Sequence, residues 1–221
     1  MFRQVFDPDN LFWSLMARGV DFVGLGLFWL LLCFPVITVG PATAALYYAV
    51  VKVFRQKDTY GFRTMWRAFL GNLKKGCAAT AICLPLAVVF VYFYYVMDLA
   101  KGTGPLGAAM FVAYWVALLL PGGVFCWLWP VMARFESGLK QTFQTAFLLA
   151  MRHLPTTFVL VLMYLQVIIF CLEQWWPVLF APVLVVLLAS LFQEKIFLKY
   201  LDEEQQAALK GETELPDDEE E

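Results

Sequence analysis

Side chains that could cooperate in chemistry are scarce, and four of them gather around one stretch. Arg134 and Glu136 precede SGLKQTFQTAFLLAMRH, which ends in Arg152 and His153, and His153 is the only histidine among 221 residues. Catalysis would need an activated nucleophile beside a base, a metal cluster or paired carboxylates. This group has none of them and reads as an anchoring surface beside lipid headgroups. A single histidine argues against a His-based metal site. The five cysteines (Cys33, Cys77, Cys83, Cys126, Cys171) lie in or at the ends of apolar runs without a C-x-x-C pair, so they read as small hydrophobes. No nucleotide-binding glycine loop is expected. The expectation is a non-enzymatic protein with no catalytic residue, cofactor or metal, and no nucleic acid partner.

The elements that carry these residues are set by composition. The chain is 62% hydrophobic and 15% charged, far from the balance of a soluble domain, so an integral membrane protein is expected. From Asp202 onward the sequence holds ten of the eighteen acids and only Lys210 among the bases. Residues 201–221 are therefore expected to be an acidic, disordered tail, and 1–200 a single membrane domain. The opening MFRQVFDPDNLFWSLMAR lacks the pattern of a cleavable signal. Five runs approach the roughly 20 apolar residues of a span: 20–39, 77–97, 106–132, 154–172 and 177–193. None has a charge near its middle, and aromatics cluster near their ends. The predicted fold is an all-α polytopic bundle of five spans.

Loop charge suggests the orientation. Seven bases lie between Lys52 and Lys75, with Arg134, Lys140 and Arg152 in a second loop and Lys195 and Lys199 after the last span. These segments are expected in the cytoplasm, with the tail, and the turns near Lys101 and 173–177 outside. Reading 20–39 as one crossing puts the N-terminus outside. A second crossing over 41–54, about 21 Å long, would put it inside.

Two of the cytoplasmic loop segments read as amphipathic helices, each leading directly into a span. Phe62, Met65, Trp66, Phe69, Leu70 and Leu73 form one apolar stripe, and Leu139, Phe143, Phe147 and Ala150 another. Phe62, Trp66, Phe69, Phe143 and Phe147, with Arg134, Arg152 and His153, are the candidate contacts to the lipid bilayer or to a partner. The two segments also match at an offset of 78 residues (Thr64 with Thr142, Ala68-Phe69-Leu70 with Ala146-Phe147-Leu148), suggesting a parallel repeat near 40–97 and 119–172. Helix breaks are expected at Pro35, at Gly40-Pro41 and at Pro121-Gly122-Gly123. They are read as packing kinks ahead of a pore-lining role. Gln166 is the one strongly polar side chain deep in a span, a candidate interhelical hydrogen-bonding residue.

Taken together, LCFPVITVGPATAALYYAVVKVFR, FRTMWRAFLGNLKKG and ARFESGLKQTFQTAFLLAMRHLPTT resemble the YesL-like family of bacterial membrane proteins, over nearly all of residues 1–201. The resemblance implies an accessory or assembly role in carbohydrate uptake through an ABC importer, by association with such genes, and brings no ligand or catalytic residues. The alternative is a channel or transport subunit in its own right.

Overall fold

A chain this apolar can satisfy its backbone away from water only by folding into helices or a closed barrel. Every regular element among the described residues of the computed structural model (11–55, 60–135, 137–174 and 176–200) is helical. The helices are α1 (Leu11–Leu32), α2 (Val39–Val50), α3 (Gly61–Ala100), α4 (Pro105–Arg134), α5 (Leu139–Arg152), α6 (Leu154–Glu173) and α7 (Ala181–Tyr200). A 3-10 turn at Val36–Thr38 leads into α2 and a π turn at Val51–Arg55 follows it. The fold is the expected all-α bundle.

Five stretches are long and apolar enough to cross a membrane: Val36–Phe54, Gly61–Ala100, Pro105–Arg134, Leu154–Cys171 and Ala181–Tyr200. The last four contain or overlap expected spans; the first meets 20–39 only at residues 36–39 and instead contains the second crossing weighed over 41–54. Residues 20–39 are not one crossing, because the chain leaves helix after Leu32 and Pro35 is extended (φ −78°, ψ 113°). Proline has no N–H to donate and pushes its predecessor away from helical backbone. Gly40 and Pro41, by contrast, break nothing. They occupy the first turn of α2, where an N–H has no intrahelical acceptor to lose. Together with its flanking turns α2 covers Val36–Phe54, 19 residues.

Pro121, Gly122 and Gly123 do not break α4 either, which runs unbroken from Pro105 to Arg134. Their role is contact: a Cβ on Gly123 would meet the Thr157 side chain, and one on Gly122 would lie 3.7 Å from Val161. The glycines let α4 and α6 approach closely. The small residues of α2 do the same at the centre of the molecule. Ala42, Ala44, Ala45 and Ala49 are fully buried, and a Cβ on Gly76 of α3 would come within 2.6 Å of Pro41.

Burial divides α3 and α4 in two. The buried residues of α3 end at Thr80, and those of α4, Gly107 apart, begin at Gly123. Residues 81–122 thus form an apolar two-helix arm. The Tyr114 hydroxyl donates to the Phe90 carbonyl (2.7 Å), Tyr94 packs edge-on against Trp115, and Gly104 (φ 133°) closes the tip beside the Asp98–Lys101 ion pair. Below the arm, the first half of α3, the end of α4, α7 and α2 make the core, with α5 laid along α4.

The stripe 61–76, expected to lead into a span, is the start of α3, 40 residues and about 60 Å long; Phe69, a candidate lipid or partner contact, is buried there with Met65. One expectation from loop charge needs correction. The turns near Lys101 and 173–177, expected on one side, lie toward opposite ends of α3. Leu179 packs on Gly26 of α1, and the adjacent Leu25 packs against Gly61, where α3 begins. Charge counting reports loop composition but not the end of a long helix on which the next hairpin packs.

Candidate functional site

The charged centre of the bundle lies where α2, α4 and α7 meet. Glu194, 5% exposed, receives a hydrogen bond from the Tyr47 hydroxyl (2.9 Å) and an ion pair from Arg134 Nη2 (3.0 Å). Arg134, 12% exposed, therefore turns into the protein rather than toward lipid or a partner, and its Nε is buried without a hydrogen-bond partner among the described residues. The reason is electrostatic. A carboxylate on an apolar helix must be paired, and Arg134 ends α4 within reach of it.

The adjacent residue of α7 solves a backbone problem. Pro130 has no N–H, so the carbonyl of Cys126, one turn earlier, loses its helical donor. The Gln193 amide donates to that carbonyl (3.1 Å). Two more buried hydroxyls serve the same end. Thr80 accepts from the Gly40 N–H (3.1 Å), a first-turn donor of α2, and itself donates to the Gly76 carbonyl. Thr157 accepts from Trp127 Nε1 (3.0 Å) and donates to the Ala150 carbonyl. Trp127 and Phe135 pack edge-on against Phe197.

The other sequence candidates spread around this centre. Phe62 and Trp66 are half exposed while Phe69 is buried, in an aromatic run joined to Phe28. On α5, Phe147 is exposed and Phe143 half buried. Arg152 lies over the Tyr200 ring and His153 Nε2 is 3.0 Å from its hydroxyl. Burial, then Arg152 and Lys199, lowers the His153 pKa below its ordinary 6.5. So Arg134 and His153 belong to different contacts. Glu136 and the acidic tail lie outside the described residues. Gln166 sits on the exposed face of α6.

Sequence reasoning missed Tyr47, Gln193 and Glu194. A usable signal was present: Val186, Ser190, Gln193 and Phe197 share one stripe of α7 at i, i+4, i+7 and i+11, all buried. Ending the span at 193 hid it. Gly102, Gly104 and Gly107 in KGTGPLG do have G-x-G-x-x-G spacing, but the stretch joins two helices, whereas a dinucleotide loop follows a strand.

Among the described residues no three His, Cys, Asp or Glu side chains are grouped to hold a metal. No curated protein and no solved structure matches the chain. The model of a family described as "Protein of unknown function, DUF624" matches residues 22–95, about a third of the chain, from α1 through most of α3.

Proposed function

We propose that this chain is a non-enzymatic multi-pass protein of a bacterial cell membrane, YesL-like, that serves as an accessory or assembly factor for carbohydrate uptake through an ABC importer. The observation that carries the reading is the ridge on α3. Phe62, Trp66 and Leu70 are about half exposed along one edge of the apolar stripe, whose other edge, Met65 and Phe69, is buried in the core. Arg63 and Arg67 are exposed beside them. A rigid aromatic face with basic flanks suits an importer subunit, because aromatic side chains offer large contact area at low entropic cost. The state of the charges weighs against an ion-coupled carrier: Glu194 is engaged by Arg134 and Tyr47 rather than free to bind and release a coupling ion. The acidic tail follows Lys195 and Lys199 and is assigned to the cytoplasm on the positive-inside rule.

The test is crosslinking in native membranes, mild solubilisation and identification of what co-purifies, repeated with Trp66→Lys and Phe147→Lys. Importer permeases or a sugar-binding protein in fixed ratio, lost in Trp66→Lys without loss of folded protein, would support the accessory role. Recovery of the chain alone would refute it and turn attention to a transport role of its own.

A further inference from the structure

Beside the ridge, a cleft of about 690 Å³ opens between α3, the end of α2 and the end of α4. One wall is two adjacent rows of α3: Thr64, Ala68 and Asn72, then Arg67, Gly71 and Lys75, each at i, i+4, i+8. Tyr48 and Lys52 face them, with the Lys52 ammonium 5.8 Å from the centre of the Tyr48 ring. Met132, Ala133 and Phe135 close the back. Three cations and two hydroxyls thus border one space, and among the described residues that line it there is no carboxylate. Like charges repel, and an anion between them reverses the sign of that interaction.

We infer that this cleft is a binding site for a phosphate group. Arg67 supplies a planar fork of donors matched to phosphate, and Lys52 and Lys75 supply point charges. Gly71 keeps the space open. No atom lies within 4 Å of where its Cβ would be, so the fold leaves room for a side chain there, yet the residue between Arg67 and Lys75 has none. The position suits a lipid phosphate: α3 passes from Lys75 to the apolar arm at residue 81 in about 9 Å, the offset of a headgroup from hydrocarbon. A soluble phosphate compound would be held by the same donors.

The experiment uses the purified full chain in neutral detergent, with two probes: phosphatidylglycerol, counted as retained lipid by native mass spectrometry, and inorganic phosphate, followed by thermal shift. Arg67→Gln/Lys75→Gln removes two cations from the cleft. Arg63→Gln/Lys74→Gln makes the same charge change at α3 residues that do not line the cleft, and Gly71→Leu fills the cleft without changing charge. Wild type and the Arg63/Lys74 variant should bind one probe alike, with at least about tenfold weaker binding in the other two. A response to phosphatidylglycerol alone assigns a lipid source, and a response to inorganic phosphate a soluble one. No response to either probe, or equal weakening in the Arg63/Lys74 variant, overturns the inference.

Discussion

Replacing Glu194 by Gln tests whether the charged centre holds the bundle together. The substitution keeps the shape of the side chain and removes its charge, leaving the Arg134 guanidinium 12% exposed and without its 3.0 Å counter-ion. Breaking a buried pair from one side costs about 3–5 kcal/mol, because the remaining charge has already been taken out of water. The partly wet guanidinium places the expected cost toward the lower end. At about 2–4 °C per kcal/mol for a chain of this size, the apparent Tm should fall by about 6–20 °C at a fixed heating rate. Tyr47→Phe removes one hydrogen bond to a charged acceptor and should cost about 1.5 kcal/mol. Arg134→Met combined with Glu194→Met should recover most of what either loses alone, since it removes both charges at once. The assay is fluorescence-detected thermal unfolding in detergent, run as a double-mutant cycle. If Glu194→Gln shifted Tm no more than an exposed substitution, or if the double variant lost the sum of the singles, the pair would not be acting as a buried one.

Gln193→Leu should cost about 1–3 kcal/mol by stranding the Cys126 carbonyl beside Pro130, and combining it with Pro130→Ala should restore part of the loss in the same unfolding assay. Gly76→Ala should destabilise by about 1–3 kcal/mol, since its Cβ would lie 2.6 Å from Pro41, whereas Gly71→Ala, with no atom within 4 Å of its Cβ, should gain a few tenths or more from helix propensity. The unfolded chain binds a proton on His153 more readily than the folded protein, whose pKa there is lowered. Its contribution is therefore fully present above 6.5 and lost as pH falls through the folded value. His153→Gln should flatten that decline in a Tm series from about pH 7.5 to about pH 5.

Much of the architecture was readable because lipid-compatible helices need long apolar runs, and those runs located four of five crossing-length segments. What misled was reading Gly40-Pro41 and Pro121-Gly122-Gly123 as breaks, as Pro35 is. Pro41 in a first turn costs nothing, and Pro130 in mid-helix is compensated by Gln193, a residue 63 positions away that no local pattern connects to it. Arg134 illustrates the same limit: its place at a helix end suggested a headgroup, but the nearest carboxylate decides where a cation turns. The stripe 61–76 was correctly periodic, yet periodicity alone does not say whether an apolar face meets lipid or another helix. Met65 and Phe69 are buried in the core, while Phe62 and Trp66 stay partly open.

Apolar helices slide and rotate against one another with little loss, so a bundle of them needs a few polar contacts to define its register. On α7 two consecutive residues supply them. Gln193 reaches the backbone of α4 and Glu194 the side chains of α2 and α4, separated by the 100° that one residue turns a helix. Exchanging them tests this directly. Gln193→Glu with Glu194→Gln preserves composition, charge and helix propensity but aims a carboxylate at the Cys126 carbonyl and an amide at Arg134. Two acceptors would then face each other while the guanidinium keeps only a neutral partner, so the exchange should cost more than Glu194→Gln alone. Thermal unfolding of the two variants side by side decides the point. An exchange variant as stable as wild type would mean that α7 is held by packing alone and that the polar pair sets nothing.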